Sequence, residues 1–230
     1  MSEFLTESLF FGVVVSIVGY ELGLWVKKKV RNPLCNPLLI SIIFVIVVLL
    51  VCRVDYQDYN KGGKYLSYLL TPATICLAIP LYRQVELLKK NPVEIIGAVC
   101  AGVLSSLLSI FVIAKLFGLT HEQYVTFLPK SITTAIGMGV SEKLGGIVTI
   151  TVVVIIVTGI VGNVAAEMVF KWLHIENSMA KGLALGTSAH AIGTVKAMEI
   201  GEIEGAMSSL SIVVSGILTV IAASVFAGFI

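Results

Sequence analysis

Charge is scarce in this sequence. Asp, Glu, Lys and Arg make up 13% of the 230 residues, while 57% are hydrophobic; a soluble domain carries about 25% charged residues. That shortfall excludes an ordinary soluble domain. The net charge is only +2, and the basic residues sit in short segments that form no face, so no nucleic-acid partner is expected. There are four cysteines, Cys35, Cys52, Cys76 and Cys100. They stand alone in or beside apolar runs, with no CxxC and no Cys/His cluster. This argues against a zinc or redox centre and for small buried hydrophobes; no metal and no cofactor is expected. Soluble-enzyme motifs are missing too: no P-loop, no GxSxG, no HExxH, and no pair of carboxylates on a polar background. An intramembrane hydrolase needs a facing nucleophile and base, and Ser188 and His190, two apart, would not face one another on a helix. The chain is therefore not expected to be an enzyme. A basic N-terminal region is also lacking. Met1 to Glu7 is acidic, and the cluster Lys27-Lys28-Lys29-Val30-Arg31 follows the first apolar run. That order argues for a retained helix with its C-terminal end in the cytoplasm.

Apolar sequence is what the chain has in abundance. Runs near the length that crosses a bilayer fall at 9–26, 38–52, 93–117, 147–173 and 206–230. Glu21 lies near the inner end of the first and reads as interfacial. The polar stretch 53–64, with Gly62-Gly63, reads as an exterior loop. The span 93–117 carries small-xxx-small spacing twice, Gly97/Ala101 and Ala98/Gly102, which suits close helix packing. Three further segments, 65–84, 127–146 and 185–204, are apolar but broken: by Pro72 and Pro80, by Pro129, Gly137 and Gly139, and by Gly186, Gly193 and Gly201. Proline removes a backbone donor and disfavours helix in the residue before it. The expected fold is all-α, a polytopic membrane helix bundle of about five to eight crossings with broken or re-entrant helices. We read residues 1–230 as one transmembrane domain, with two N-terminal helices and a loop in 1–64 and a repeat region in 65–230.

The three broken segments resemble one another. Pro72-Ala73-Thr74-Ile75 through Ala78-Ile79-Pro80 matches Pro129-Lys130-Ser131-Ile132 through Ala135-Ile136-Gly137, an offset of 57 (129 − 72). Thr134-Ala135-Ile136-Gly137 matches His190-Ala191-Ile192-Gly193, and Leu144-Gly145 falls on Ile200-Gly201, an offset of 56 (191 − 135). Internal repeats with paired broken helices point to a transporter's central site.

A broken helix leaves unpaired N–H groups at the start of its second half, and with the dipole end these attract an anion. Hydroxyls and cations cluster at the breaks. Thr74, Lys130, Ser131, Thr133, Thr134, Thr187, Ser188, His190, Gly193 and Thr194 are the candidate ligands of a small carboxylate. Gly186 and Gly193 are expected to open the helix so that donors reach it. His190 is a candidate proton carrier, and Lys196, Asn163 and Glu167 are further candidates for proton coupling or cavity lining. Each has a structural alternative: hydroxyls bonded to their own helix, snorkelling lysines, a satisfied interior histidine, or an Asn163 that bridges two helices.

These residues also carry a resemblance. Pro129-Lys130-Ser131-Ile132-Thr133-Thr134, then Gly186-Thr187-Ser188-Ala189-His190-Ala191-Ile192-Gly193-Thr194 with Glu199 and Glu202-Ile203-Glu204-Gly205-Ala206, resemble the LrgB/CidB family, as does Pro72-Ala73-Thr74 through Tyr82. Ala135 departs from the pattern, where a proline is expected. The resemblance covers nearly the whole chain and implies two functional pictures. In one, antiholin-like or holin-like proteins modulate murein hydrolase activity and autolysis with a small LrgA/CidA-type membrane partner. In the other, the protein carries small monocarboxylates such as pyruvate; a plastid relative that fuses both partner types resembles a glycolate/glycerate translocator. The resemblance implies a multi-pass protein of the bacterial cytoplasmic (inner) membrane, in contact with the lipid bilayer and oligomeric. Costly polar breaks inside a membrane favour the carrier, because a regulator that works by surface contact has no use for them.

Overall fold

The computed structural model describes residues 10–30, 37–69, 72, 75–76, 78–83 and 85–230. Among them every regular element is a helix. They form two units, 1–76 and 77–230.

In the first unit, α1 (Phe11–Lys29) packs along α2 (Pro37–Cys52) and against α3 (Tyr56–Ser67). The α1–α3 contact is backbone-close: a Cβ on Gly12 would stand 2.1 Å from the Tyr59 carbonyl oxygen. The Ser16 and Tyr59 hydroxyls meet at 2.7 Å. The expected exterior loop at 53–64 is thus largely helical. Its polarity belongs to one face, where Lys61 pairs with Asp58 at 2.6 Å, while Tyr59 and the buried Gly62 turn towards α1. Polarity and a glycine pair mimicked a loop where an amphipathic helix forms.

The second unit holds α4 (Ala78–Arg83), α5 (Val85–Lys90), α6 (Pro92–Phe117), α7 (His121–Phe127), α8 (Thr134–Leu144), α9 (Val148–Trp172), α10 (Ser178–Ile200) and α11 (Glu202–Phe226), which runs on into a short 3-10 turn. Among the described residues, α6, α9 and α11 with its turn are long and apolar enough to cross a membrane. Pro92 opens α6, where its missing N–H is no loss. Thr120 and Gln123 form a capping box that opens α7. Tyr124, Leu128, Ile132, Leu107, Leu183 and Met207 are buried in one apolar core shared by α6, α7, α10 and α11. The Tyr124 hydroxyl reaches into it to donate to the Phe226 carbonyl at 3.0 Å.

Two of the expected breaks lie in this unit. The first is the turn 128–133 between α7 and α8, built around Pro129. The second is inside α10, where His190 takes φ 44° and ψ −135°. The chain then folds back sharply. A Cβ on Gly193 would stand 2.4 Å from the Leu185 carbonyl oxygen, whereas eight residues of straight helix would separate the two by about 12 Å. The third expected break, 65–84, lies partly outside the described residues, and Thr74 is among those outside.

Gly186 does a different task from the expected one. Together with Gly182 it makes a GxxxG face on which α11 sits: a Cβ on Gly186 would stand 2.3 Å from the Ser208 carbonyl oxygen, and one on Gly182 2.5 Å from that of Glu204. The glycines bring two helices together, as small residues do where lipid supplies no hydrophobic drive. The long helices α6, α9 and α11 begin 56 and then 54 residues apart (148 − 92 and 202 − 148). Thr134, the first residue of α8, and His190, at the break, also lie 56 apart (190 − 134).

Candidate functional site

A cavity of about 510 Å³ lies between α6, the 128–133 turn and the first half of α10. That is within the usual range for small-ligand pockets. The turn contributes Lys130 and Ser131; α10 contributes Ala180, Leu183, Ala184, Thr187 and Ser188; α6 contributes Ala98, Gly102, Ser105, Ser106 and Ser109. Four of the sequence candidates thus meet: Lys130, Ser131, Thr187 and Ser188. The break at Pro129 lifts Lys130 out of helical register and places it beside α6.

The polar wiring of the wall is specific. The Lys130 ammonium donates to the Ser131 hydroxyl oxygen at 3.0 Å. Ser131 and Ser106 share a hydroxyl–hydroxyl bond of 3.1 Å. Across the cavity, Thr187 donates to the Leu183 carbonyl at 2.6 Å and Ser188 to that of Ala184 at 2.7 Å. Ser109 donates to the Ser106 carbonyl at 2.7 Å. Hydroxyls that spend their proton on the helix backbone turn lone pairs outward. One side therefore offers N–H donors and positive charge, and the other offers acceptors. No carboxylate pairs with Lys130 among the described residues. Gly102 keeps the walls close, since a Cβ there would stand 2.5 Å from Thr187 Cγ2.

The serines of α6 are missing from the expected site, because 93–117 reads in sequence as an apolar span with packing residues only. Their signal was present: 105, 106 and 109 fall on one helical face. The same face holds Ala98 and Gly102, read there only as packing residues.

The remaining candidates stand elsewhere. Thr133 and Thr134 form the start of α8 and do not line the cavity. His190 is 3% exposed and sits at the break itself. Its Nε2 lies 3.0 Å from the Ile155 carbonyl of α9, which can only accept, so this nitrogen carries the hydrogen. Gly159 makes room for the ring; a Cβ there would stand 2.7 Å from His190 Cε1. Thr194 donates to the His190 carbonyl at 3.1 Å and meets the Ser208 hydroxyl at 2.7 Å. Asn163 donates to the Ile192 carbonyl at 3.0 Å. One turn further, Glu167 pairs with Lys196 at 2.5 Å, and Glu199 joins at 3.5 Å. Ile155, Gly159, Asn163 and Glu167 recur every four residues. They form one stripe of α9 that braces the second half of α10.

The LrgB-like family model matches residues 16–229. The holin-like protein CidB of Staphylococcus epidermidis is 39% identical over 219 residues, 95% of each chain. The antiholin-like protein LrgB of Bacillus cereus is 38% identical over 226 residues, 98% of each chain. No solved structure matches. By family model and by near full-length identity alike, this chain belongs to the LrgB-like family.

Proposed function

We propose that the protein is a secondary transporter, or a transporter subunit, for small monocarboxylates such as pyruvate or glycolate. The observation that carries this reading is Lys130: a half-buried ammonium at a cavity wall, with no counter-ion among the described residues. A cation in that setting is costly unless an anion joins it. The cavity's acceptor wall suits the far end of a short hydroxy or hydrated acid. A break recurs 56 residues apart (190 − 134) at the 128–133 turn and at His190, and long helices recur about every 55 residues among the described residues; this supports internal repeats, as in carriers built around a central site. The protein would work in the bacterial cytoplasmic membrane as a multi-pass oligomer, with an LrgA/CidA-type partner.

The test is flux. The protein is reconstituted alone and with such a partner, and saturable uptake of labelled pyruvate, glycolate and lactate is measured. No saturable flux with any of them sinks the proposal.

The relatives' names, holin-like and antiholin-like, favour a second reading, which the family resemblance fills out as a non-transporting antiholin-like regulator of murein hydrolase activity and autolysis. Flux and lysis assays run in parallel on Lys130→Gln and Ser188→Ala separate the two. Lysis phenotypes that persist unchanged while flux is lost support the regulator. Phenotypes that fall together support lysis effects that follow from metabolite traffic.

A further inference from the structure

A second hollow, of about 440 Å³, lies at the opposite end of the brace, where α9 ends and α10 begins. Lys171, His174, Glu176 and Lys181 surround it, with Phe170, Ile175 and Ile200 as an apolar floor. Glu167 also borders it, held by Lys196, which Glu199 shares. The two lysines Lys171 and Lys181 remain at the rim, with Glu176 as the one lining carboxylate not bound to a lysine among the described residues. Neither Lys171 nor Lys181 has an ion-pair partner among the described residues.

The backbone gives an independent sign that side chains matter here. α9 closes with the Ile175 N–H on the Phe170 carbonyl at 2.9 Å. This six-to-one closure puts the intervening residue in the left-handed region, a position that ordinarily takes glycine. Here it is His174, at φ 54°. Glycine would sit there without strain; the histidine puts an imidazole at the rim instead. Asn177 then caps α10, accepting from the Ala180 N–H at 3.0 Å. The first N–H groups of a long helix add partial positive charge beside the lysines.

The location decides between ligands. α9 has 25 residues, about 37 Å of helix, against a hydrocarbon core of about 30 Å. Its last turn therefore reaches the headgroup layer. Trp172, 78% exposed at that turn, is the residue type that settles there. A cationic rim over an apolar floor fits a phosphate with acyl chains attached, better than a free phosphate ester.

We infer that this hollow binds the head of an anionic phospholipid, its phosphate between Lys171, Lys181 and His174 and its first acyl carbons on Phe170 and Ile175. Basic pockets between membrane helices bind such heads. Native mass spectrometry of the detergent-purified full chain tests this, with phosphatidylglycerol, phosphatidylcholine and inorganic phosphate as separate probes. Phosphatidylglycerol should bind and raise the unfolding temperature; phosphatidylcholine should do neither. The pair Lys171→Gln with Lys181→Gln should weaken phosphatidylglycerol about tenfold or more. If that pair fails to fold, His174→Gly serves instead: it relieves backbone strain, so it should unfold no earlier than wild type yet bind less phosphatidylglycerol. Equal binding of the two lipids overturns the inference. So does unchanged binding in the variants, and so does displacement of the lipid by inorganic phosphate at millimolar concentration, which would mark a free-anion site.

Discussion

Replacing Lys130 by Gln removes the cavity's cation and keeps most of its volume. Among the described residues the Lys130 ammonium makes one hydrogen bond, to Ser131, so its remaining N–H groups are available to a carboxylate. Hydrogen bonds to charged groups contribute about 1.5–3 kcal/mol net. Lys130 is only half-buried, so solvent screening favours the lower end, about 1.5 kcal/mol. That corresponds to about a tenfold loss of affinity for a monocarboxylate. The glutamine can still reach Ser131, so the turn and the Ser131–Ser106 bond should persist, and the unfolding temperature should move little. The assay is concentration-dependent uptake in proteoliposomes. The half-saturation concentration should rise about tenfold in Lys130→Gln, with the maximal rate changing less. Lys143→Gln, on the exposed end of α8, should leave both unchanged. If Lys130→Gln kept the wild-type concentration dependence while flux itself was sound, the anion would not sit at Lys130, and the assignment of this cavity would fall.

Other substitutions probe the scaffold. Gly186→Val should destabilise the detergent-solubilised protein by at least about 1–3 kcal/mol, read as a lowered unfolding temperature, because the added carbons meet Ser208 backbone; Gly97→Ala, with open space around it, should change nothing. Asn163→Leu leaves the Ile192 carbonyl without its donor and should cost about 1–3 kcal/mol in the same assay. At the break, His190→Gly should retain more folded protein than His190→Ala, since φ 44° suits glycine and strains alanine. Gly102→Val pushes on Thr187 and should lower maximal uptake without abolishing expression.

The sequence made the membrane class and the long helices legible because those rest on composition and length. The expected spans at 93–117 and 147–173 lie within one residue of α6 and α9. The break near His190 was legible as polar, glycine-rich sequence between apolar runs. What the glycines do there was not legible. Gly186 read as a hinge because glycine permits unusual backbone, yet its use is steric, and only the position of Ser208 on another helix reveals that. The α6 serines were hidden for a related reason. Three hydroxyls in a 26-residue apolar helix barely change its composition, and they matter only because Lys130 arrives beside them from a turn some 25 residues away. His190 drew attention as a titratable group, while its role in the fold is set by a carbonyl of α9 that carries no sequence signature.

The cavity and the break are mechanically one object. Thr187 and Ser188 line the cavity from the first half of α10, three and two residues before His190. That half is clamped to α11 through Gly182 and Gly186. The second half is held by α9 through Asn163 and Glu167, and it also meets α11 through the Thr194–Ser208 bond. A relative movement of α9 and α11 therefore loads the break at His190 and the Thr194–Ser208 bond together. Such a movement changes the angle of the break and shifts Thr187 and Ser188 relative to Lys130 and the α6 serines. Rocking of one bundle against another would use this break as a hinge. A short thiol crosslinker between cysteines introduced at Glu167 and Lys196, whose side chains meet, would fasten the second half to α9. If the linker is cleavable by reduction, it should abolish net uptake reversibly while leaving binding of the anion intact. Full uptake by the crosslinked protein would show that α10 moves with α9 as a single body, and a hinge at His190 would be wrong.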